Sequence, residues 1–331
     1  MKILVVACLL LAGCGGKGEN RKIKIAFIGS GLQTQQMPVI LAQQLGYYKD
    51  EGLDVTLESL SSNTKTMQSL VGGSVDAAAV AYSQTIQMAV EGQRIRAFFV
   101  MVSRNSVFLV VSPAATGRIK RIEDLKGATI GVPSPGAPNH LFVNYHLTKH
   151  GVQPSEVTAV GVGVGASAVA AFESGRIDAS AVAGGDHLLL LKRHPNLRIL
   201  AENSTPEGMR STYGAETFAG SSLAARQEWL DQNPEPARRL ARALLRTQQW
   251  IATHSPEKIR EQLPEAMHSQ DAALDVQIIA WSLAAFNPDG RMASSTPEVS
   301  RRYLDATIEK VRDAKIDLAA TWTNEYLPEP K

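Results

Sequence analysis

Two pairs of histidines are the first candidates for chemistry in this sequence. His146 and His150 are four residues apart, so on a helix both imidazoles would share one face and could contact a metal ion. His187 and His194 are two helical turns apart. No third ligand is placed to complete either site, so we interpret His146 and His150 as exposed helix histidines and predict no metal site.

Two common motifs, one for a serine nucleophile and one for a catalytic zinc site, are missing from the sequence. Neither G-x-S-x-G nor H-E-x-x-H occurs, and Cys8 and Cys14 are the only cysteines. Cys8 lies in the apolar N-terminal run and Cys14 just after it. The N-terminal pattern described below would remove Cys8 and modify Cys14, so the mature chain would have no free thiol. This excludes cysteine nucleophiles, cysteine zinc sites and iron–sulfur clusters. We predict no catalytic residue, no cofactor and no enzyme activity.

The stretch 161-GVGVGA-166 has the pattern G-x-G-x-x-A between a predicted strand and a predicted helix. Asp186 follows the next strand, near the position of a ribose-binding acid in dinucleotide folds. The helix after the motif is only about nine residues long, and the motif lies in the middle of the chain. We interpret the stretch as a Gly-rich loop that presents backbone N–H groups, not as a dinucleotide site.

A second loop, 131-GVPSPGAPNHLF-142, joins a predicted strand to a predicted helix. Pro135 and Pro138 stiffen it, and Gly136 permits close approach of the backbone. Asn139 and His140 stand at the helix start, among unpaired N–H groups. The pattern favours a ligand cradle over a plain turn.

These loops belong to a chain that alternates strands and helices from residue 22 onward. Short apolar strands separated by helices indicate an α/β fold with mostly parallel sheets covered on both faces. The predicted strands are 22–29, 54–60, 76–81, 95–103, 107–112, 129–134, 157–163, 179–184 and 197–202.

An internal repeat divides the chain into two similar units. The stretch 67-MQSLVGGSVDAAAVA-81 aligns without a gap to 169-VAAFESGRIDASAVA-183. Each copy reads helix, glycine, aspartate and small apolar strand, with Asp76 and Asp178 matched. The repeat predicts two similar α/β lobes and a structural role for both aspartates.

Small and polar residues follow nearly every predicted strand. Ligands of open α/β sheets bind at the carboxyl ends of the strands, where helix N-termini favour anions. From the strand ends and a few aromatic residues we predict one ligand site that comprises Gln33, Thr34, Gln35, Ser62, Asn63, Tyr82, Ser83, Arg104, Ser134, Gly136, Asn139, His140, Ala166, Ser167, Asp186 and Tyr213.

The N-terminus has the pattern of an export signal. Lys2 precedes a ten-residue apolar run that is too short to span a bilayer. The run ends in 10-LLAGC-14, which resembles the lipobox of bacterial lipoproteins, and 15-GGKGEN-20 follows. The resemblance implies a signal peptide (1–13), lipidation of Cys14 and a tether (14–21). A plain secretory signal with an incidental Cys14 is the alternative.

The overall charge gives no reason to expect a nucleic-acid or membrane-surface partner. Lys and Arg number 34 and Asp and Glu number 32, so the chain is close to neutral. No long basic run occurs in the sequence.

Four segments together resemble the periplasmic solute-binding proteins of ABC importers, in the group for nitrate, sulfonates, taurine and thiamin precursors. They are 38-PVILAQQLGYYKDEGLDV-55, 122-IEDLKGATIGVPSPGAPNHLF-142, 161-GVGVGASAVAAFESGRIDASAVA-183 and 232-QNPEPARRLARALLRTQQWI-251. The resemblance implies a type II clamshell with lobe 1 (22–105 and 218–331), lobe 2 (106–217), and crossover strands near 104–109 and 213–219 as hinge.

The implied function is capture of a small organic anion, of sulfonate or carboxylate type, and its delivery to a membrane permease. The resemblance also implies a monomer on the periplasmic or cell-surface side, held to the membrane only by the lipid on Cys14. Three alternatives stay open: a thiamin-pyrimidine ligand, an enzyme of the same fold, and a ligand sensor that docks on a receptor. The sequence identifies neither the ligand, nor the anchoring membrane, nor a ligand-contacting residue among Trp229, Trp250, Trp281 and Trp322.

Overall fold

A computed structural model describes residues 22–29, 32 and 34–329 of the chain. The predicted signal peptide, the tether, Cys14 and Gln33 lie outside the described residues. The strands are β1 (Lys22–Ile28), β2 (Asp54–Leu60), β3 (Ala77–Ala81), β4 (Ile95–Val102), β5 (Val107–Val111), β6 (Thr129–Val132), β7 (Thr158–Gly161), β8 (Ala179–Ala183), β9 (Arg198–Glu202) and β10 (Ser221–Arg226).

The helices fill most of the connections between these strands. They are α1 (Met37–Gln44), α2 (Tyr47–Asp50), α3 (Asn63–Val71), α4 (Tyr82–Val90), α5 (Pro138–Lys149), α6 (Ala166–Glu173), α7 (Gly185–Arg193), α8 (Pro206–Tyr213), α9 (Gln227–Gln232), α10 (Pro234–Thr253), α11 (Pro256–Gln262), α12 (Ala272–Ser282), α13 (Thr296–Asp305) and α14 (Glu309–Arg312). Among the described residues, no helix is both long and apolar enough to cross a membrane.

Two five-stranded sheets form the centres of two lobes. Lobe 1 has the strand order β2-β1-β3-β10-β4, and lobe 2 has the order β7-β6-β8-β5-β9. In each sheet four strands point in one direction and one strand, β10 or β5, runs antiparallel to its neighbours. The predicted two-lobed α/β fold with mostly parallel sheets is therefore confirmed, while the exact lobe boundaries stay a prediction.

The reversed strands follow from the way the chain passes between the lobes. β4 ends at Val102, and β5 begins only a few residues later at Val107. A strand that enters its sheet at the edge where the other strands end must run in the opposite direction. β10 does the same on the return to lobe 1, so the two carboxyl-end edges face each other across the crossovers.

The crossovers lie side by side as hydrogen-bonded neighbours. The backbone N–H of Phe218 donates to the carbonyl of Ser103 at 2.8 Å, and that of Gly220 donates to Val102 at 2.8 Å. A third link joins Gly184 of lobe 2 to Ser106 at 3.4 Å. Two short paired segments between the lobes are suited to act as a hinge.

The sequence repeat corresponds to equivalent positions in the two sheets. Leu70 of α3 and Phe172 of α6 align in the repeat, and both are fully buried against their sheets. Burial of one such side chain stabilises a fold by about 1.5–3 kcal/mol.

The paired aspartates have the structural role that the sequence predicted. The backbone N–H of Lys24 donates to the Asp76 carboxylate at 2.9 Å, and the backbone N–H of Thr129 donates to Asp178 at 2.8 Å. In return, the N–H of each aspartate donates to the carbonyl of the same residue. Each carboxylate thus ties the start of one strand to its neighbour.

Three elements were missed in the sequence. β10 consists of Ser, Leu, Ala and Arg, which have weak strand preference, yet it occupies a central position in its sheet. α9 follows it directly. Thr205 precedes α8 as its N-cap residue, and its hydroxyl accepts a hydrogen bond from the N–H of Gly208 at 2.9 Å. Pro206 is the first residue of the helix. The same Ser/Thr-Pro signal correctly predicted α11 after Ser255.

Candidate functional site

The region between the two carboxyl-end edges is the candidate site, and we call it the cleft. Its lobe 1 side consists of the segments that follow β1, β2, β3 and β4, together with the start of β10. Its lobe 2 side consists of residues 133–140, 162–167 and 184–187. Five helices, α3 to α7, begin at these two edges.

On the lobe 1 side, Ser62 and Asn63 stand at the start of α3. The Ser62 hydroxyl accepts a hydrogen bond from the Lys65 backbone N–H at 3.3 Å, which is ordinary N-capping. Ser62 and Asn63 are half-buried, as are Thr34 and Gln35 in the short 3-10 turn before α1. These four residues follow β1 and β2 at the carboxyl-end edge of the sheet, and their contact with a ligand stays a prediction.

The predicted ligand contact of Tyr82 disagrees with its placement. Tyr82 is fully buried, and its hydroxyl is hydrogen-bonded to the Thr321 hydroxyl at 2.7 Å. Burial raises the pKa of this phenol. The neighbouring Ser83 is also buried. Tyr82 is the first residue of α4, and there its ring points into a buried cluster. We therefore remove it from the ligand-binding candidates.

Arg104 lies at the end of β4, but its guanidinium is already engaged. Its Nη2 donates to the carbonyl of Ala284, in the turn after α12. The backbone of Ser103 also donates to that turn, at Ala285, at 2.9 Å. Arg104 therefore fixes the crossover to lobe 1 in this conformation.

The loop before α5 closes on itself. Gly136 has the positive φ of 81° that favours glycine, and its N–H donates to Nδ1 of His140 at 2.8 Å. Burial lowers the pKa of His140, so its imidazole is neutral near pH 7. Asn139 donates from its side chain to the carbonyl of Ala181 at 3.2 Å, which ties α5 to β8. Ser134 is exposed at the outer end of the loop.

The Gly-rich loop before α6 donates a hydrogen bond to Asp186, which lies in the next strand–helix connection. Both carboxylate oxygens of Asp186 lie 3.0 Å from the backbone N of Gly165. Burial raises the pKa of Asp186, and the hydrogen bond from Gly165 partly opposes that rise. Ser167 donates to the carbonyl of Val162 at 2.8 Å, and Ala166 and Ser167 are exposed. Asp186 thus holds the Gly-rich loop in place, which is different from the ribose contact of a dinucleotide fold.

Tyr213 packs beside the crossovers and not at a cleft edge. It is buried, its hydroxyl accepts from the Asn203 amide at 2.8 Å, and its ring stacks on Phe218 at 4.5 Å. Asn203 in turn accepts from the N–H of Val107, where the first crossover enters lobe 2. These contacts tie Tyr213 to the crossover region, so its predicted ligand contact is not supported by its placement.

The histidine pair of α5 also differs from expectation. His146 is buried, not exposed, and desolvation lowers its pKa to about 3. His150 is paired with Glu123 at 3.3 Å. Within the part of the chain that the structure describes, no cluster of three or more His, Cys, Asp or Glu side chains could hold a metal ion.

The family model described as NMT1/THI5 like matches residues 33–259. The chain belongs to the NMT1/THI5-like family. The matched segment contains every residue of the predicted ligand site.

Two relatives show the range of this NMT1/THI5-like group. The putative binding protein YtlA of Bacillus subtilis is 24% identical over 90% of this chain and 87% of its own length. The 4-amino-5-hydroxymethyl-2-methylpyrimidine phosphate synthase THI13 of Saccharomyces cerevisiae is 24% identical over 93% of this chain and 89% of its own. One relative thus carries the name of a binding protein and the other the name of an enzyme.

Solved structures share the two-lobed architecture of this NMT1/THI5-like protein. A structure from Bordetella bronchiseptica RB50 has a TM-score of 0.82 and 32% identity, and it covers 92% of this chain and 95% of its own. The periplasmic aliphatic sulphonate binding protein SsuA of Escherichia coli has a TM-score of 0.69 and 17% identity over 92% of this chain and 98% of its own. The chain has the periplasmic binding protein fold.

Three polar atoms of the NMT1/THI5-like cleft were not identified from the sequence. The side-chain oxygens Gln36 Oε1, Gln84 Oε1 and Ser221 Oγ are buried and have no hydrogen-bond partner among the described residues. All three residues lie at the carboxyl-end edge of the lobe 1 sheet. Gln36 and Gln84 directly follow predicted site segments, whereas Ser221 begins the strand that was missed. Each unpaired buried group costs about 1–3 kcal/mol unless another molecule supplies a partner.

An aromatic stack joins the lobes at the start of α7. The His187 ring stacks on Phe108 with a centroid separation of 3.5 Å, and Trp281 of α12 lies 6.2 Å from it. His187 is buried, and neither ring nitrogen has a partner among the described residues. Burial lowers its pKa to about 4. Trp281 therefore contacts lobe 2 at the start of α7.

Proposed function

We propose that this protein is the substrate-binding component of an ABC importer. In this proposal it captures a small organic anion, of sulfonate or carboxylate type, in the cleft and delivers it to a membrane permease. No bond is made or broken. The observation that carries the proposal is the set of buried, unpartnered polar atoms of Gln36, Gln84 and Ser221 at the sheet edge. A bound solute at this edge gives them hydrogen-bond partners.

The paired crossovers supply the motion that such a role needs. A solute that contacts both edges binds the closed arrangement more tightly than the open one, so it shifts the lobes toward closure. The permease then distinguishes loaded from empty protein by the closed form. The sulphonate-binding name of the Escherichia coli neighbour supports an organic anion as the solute.

Helix starts are the groups that we expect to meet the anion. Five helices begin at the cleft edges, and each N-terminus contributes roughly 0.3–1 kcal/mol to a nearby negative charge. Some of the N–H groups are already used, because Ser62 caps α3 and His140 accepts from Gly136. A single negative charge on an otherwise apolar solute therefore fits better than a small, strongly hydrated inorganic anion.

Asp186 favours a second candidate, a thiamin-pyrimidine ligand. Its half-buried carboxylate lies at the lobe 2 edge, where it repels an anion and can accept from a ligand N–H. The guanidinium of Arg104, which would offset this charge, is held by Ala284. The name of the yeast relative supports this class of ligand, and also an enzymatic variant of the fold.

A thermal-shift screen of sulfonates, aromatic carboxylates and pyrimidines separates these candidates when it includes Asp186→Asn. For the organic anion we expect the variant to bind about tenfold more tightly, or ~1.4 kcal/mol, because the repulsion is removed. For a pyrimidine we expect weaker binding by a similar factor. Asp313→Asn, on the exposed end of α14, is the matched control. No shift with any of the compounds contradicts both candidates, and turnover of a bound pyrimidine indicates an enzyme.

We also propose that the protein is exported and held to the membrane through lipid on Cys14. Cys14→Ala should move the protein from the membrane fraction to the soluble fraction. Cys8→Ala lies in the predicted signal peptide and is the control that should remain in the membrane fraction. Unchanged fractionation of Cys14→Ala contradicts the anchor.

A further inference from the structure

A second cavity lies at the junction of the lobes, away from the cleft edges. It has a volume of about 350 Å³ and lies between α5 and α8 of lobe 2 and α13 of lobe 1. The residues that matter for its chemistry are Tyr145, Lys149, Arg210, Tyr213, Arg302 and Tyr303. Helix α5 begins at the cleft with Pro138, and Lys149 is roughly 16 Å farther along it at 1.5 Å per residue.

The tyrosines form the floor of this cavity and connect the lobes. The Tyr145 ring lies 5.3 Å from Tyr303 and 5.9 Å from Tyr213, and Tyr213 and Tyr303 meet edge to face at 5.5 Å. Tyr303 also donates from its hydroxyl to the carbonyl of Pro138, across the lobe junction, at 3.3 Å. A molecule in the cavity therefore contacts both lobes at once.

The charges at the cavity are all positive. Its described lining contains Lys149, Arg210 and Arg302, and no Asp or Glu side chain. Lys149 donates to the carbonyls of Ser211 and Thr212 near the C-terminus of α8. Its positive charge offsets the partial negative charge of that helix end. Arg210 is paired with Glu207 and Glu216, so its charge is already balanced.

Arg302 differs from the other two cations. It is exposed and lines the cavity, and among the described residues no carboxylate lies within ion-pair distance of it and no hydrogen-bond partner of its guanidinium is found. An unpaired guanidinium beside two further cations and a hydroxyl at Ser211 is suited to the oxygen atoms of an anion.

We propose that this cavity binds a small oxyanion of phosphate type and so links the lobes. Arg302 of lobe 1 supplies the unpaired guanidinium. Lys149 of lobe 2 supplies the opposing positive charge, because its ammonium has a third N–H beyond the two that bond the Ser211 and Thr212 carbonyls. Because the anion binds where these two cations approach each other, it stabilises this relative arrangement of the lobes. The site would make lobe movement sensitive to the concentration of such anions, independently of the cleft ligand.

Inorganic phosphate is the probe for this site, in a thermal-shift titration at constant ionic strength with chloride as the balancing ion. We expect phosphate to raise the melting temperature of the full chain, with an apparent Kd that Arg302→Gln raises about tenfold. Arg312→Gln, an exposed arginine on α14, is the matched control and should behave as the wild type.

Three outcomes would overturn the proposal. The first is that phosphate raises the melting temperature no more than chloride does. The second is that Arg302→Gln keeps the wild-type apparent Kd for phosphate. The third is that Arg312→Gln raises this Kd as much as Arg302→Gln does. The same titration of Asp186→Asn separates this site from the cleft. A phosphate response that Asp186→Asn strengthens and Arg302→Gln leaves unchanged assigns the anion to the cleft and contradicts the junction site.

Discussion

The two lobes have sheets of the same strand order but differ in the loops that face the cleft. Lobe 1 ends its second connection with Ser62, which caps its own helix α3. Lobe 2 has a Gly-rich loop at the same place, and its Gly165 N–H is capped by Asp186 from another connection. A local cap leaves the loop independent of its neighbours, whereas the Asp186 contact couples two cleft segments.

The comparison separates the residues that stabilise each lobe from those that can determine which ligand binds. The positions shared by the repeat, such as Leu70 with Phe172 and Asp76 with Asp178, lie in the core or at strand starts. The residues that follow the repeat at the cleft edge differ between the lobes. Counted from the ends of β3 and β8, Gln84 corresponds to Asp186 and Thr85 corresponds to His187. The cleft edge is therefore where we expect ligand preference to reside.

The largest expected effect tests whether the repeat positions are equivalent. Leu70→Ala should lower the free energy of unfolding by about 3 kcal/mol and Phe172→Ala by about 4, because each leaves a cavity under its helix. Denaturant unfolding followed by circular dichroism measures both. Gln68→Ala, exposed on α3, is the control and should change little. A loss below about 1 kcal/mol for either core variant would contradict the equivalence.

A difference between the lobes predicts a pH effect of intermediate size. The Thr85 hydroxyl is satisfied by the carbonyl of Tyr82, while the nitrogens of His187 lack partners in the described structure. Burial lowers the pKa of His187 to about 4, and nearby Glu202 opposes this. In the unfolded chain the His187 imidazole binds a proton as pH falls below about 6.5, whereas in the folded chain it stays neutral until about pH 4. The free energy of unfolding therefore falls as pH decreases from about 6.5 to 4.

His187→Phe should remove about 2 kcal/mol of that acid-dependent loss while it keeps a ring against Phe108. Unfolding measured at pH 7 and pH 4.5 gives the difference. His150→Gln, at an exposed position, is the control. A residual slope is expected from His146, whose pKa burial lowers to about 3. An unchanged slope in His187→Phe would show that His187 takes up its proton in the folded chain.

The smallest expected effect compares the two strand-start aspartates. Asp76→Ala and Asp178→Ala should each lower the free energy of unfolding by about 1.5 kcal/mol, because a backbone N–H loses a charged acceptor. The ion pair of Asp178 with Arg118 is largely exposed and should add little. The matched Asp→Asn variants keep an acceptor oxygen and should lose less. Equal losses for Ala and Asn at either position would contradict this explanation.

The lobes were predictable because their signals are local. Strand–helix alternation and the repeat gave the predicted strands, whose ends shift by at most two residues in the structure. β10 was missed because its small residues owe their place to packing between β3 and β4, and that contact is distant in sequence.

The site was less predictable. The end of a predicted strand indicates where a cleft loop begins, but it does not indicate the direction in which each side chain of that loop points. Tyr82 and Tyr213 follow strand ends or crossovers as expected, yet both turn into buried clusters. Arg104 was the arginine among the predicted site residues, and its guanidinium bonds a carbonyl of its own lobe. The side-chain directions of Tyr82 and Arg104 depend on C-terminal segments around Thr321 and Ala284, which no local pattern connects to the cleft.

The central position of β10 has a consequence for the order in which the protein acquires its structure. The lobe 2 sheet is complete once the chain has emerged as far as β9, and all its strands are consecutive. The lobe 1 sheet keeps a gap one strand wide until the chain beyond lobe 2 arrives to fill it. Non-local pairing is slow, so lobe 2 should fold first and hold the edges of that gap close together. An unfilled gap between two β-strands is an edge at which chains can mispair, and early folding of lobe 2 shortens the time for which it stays open.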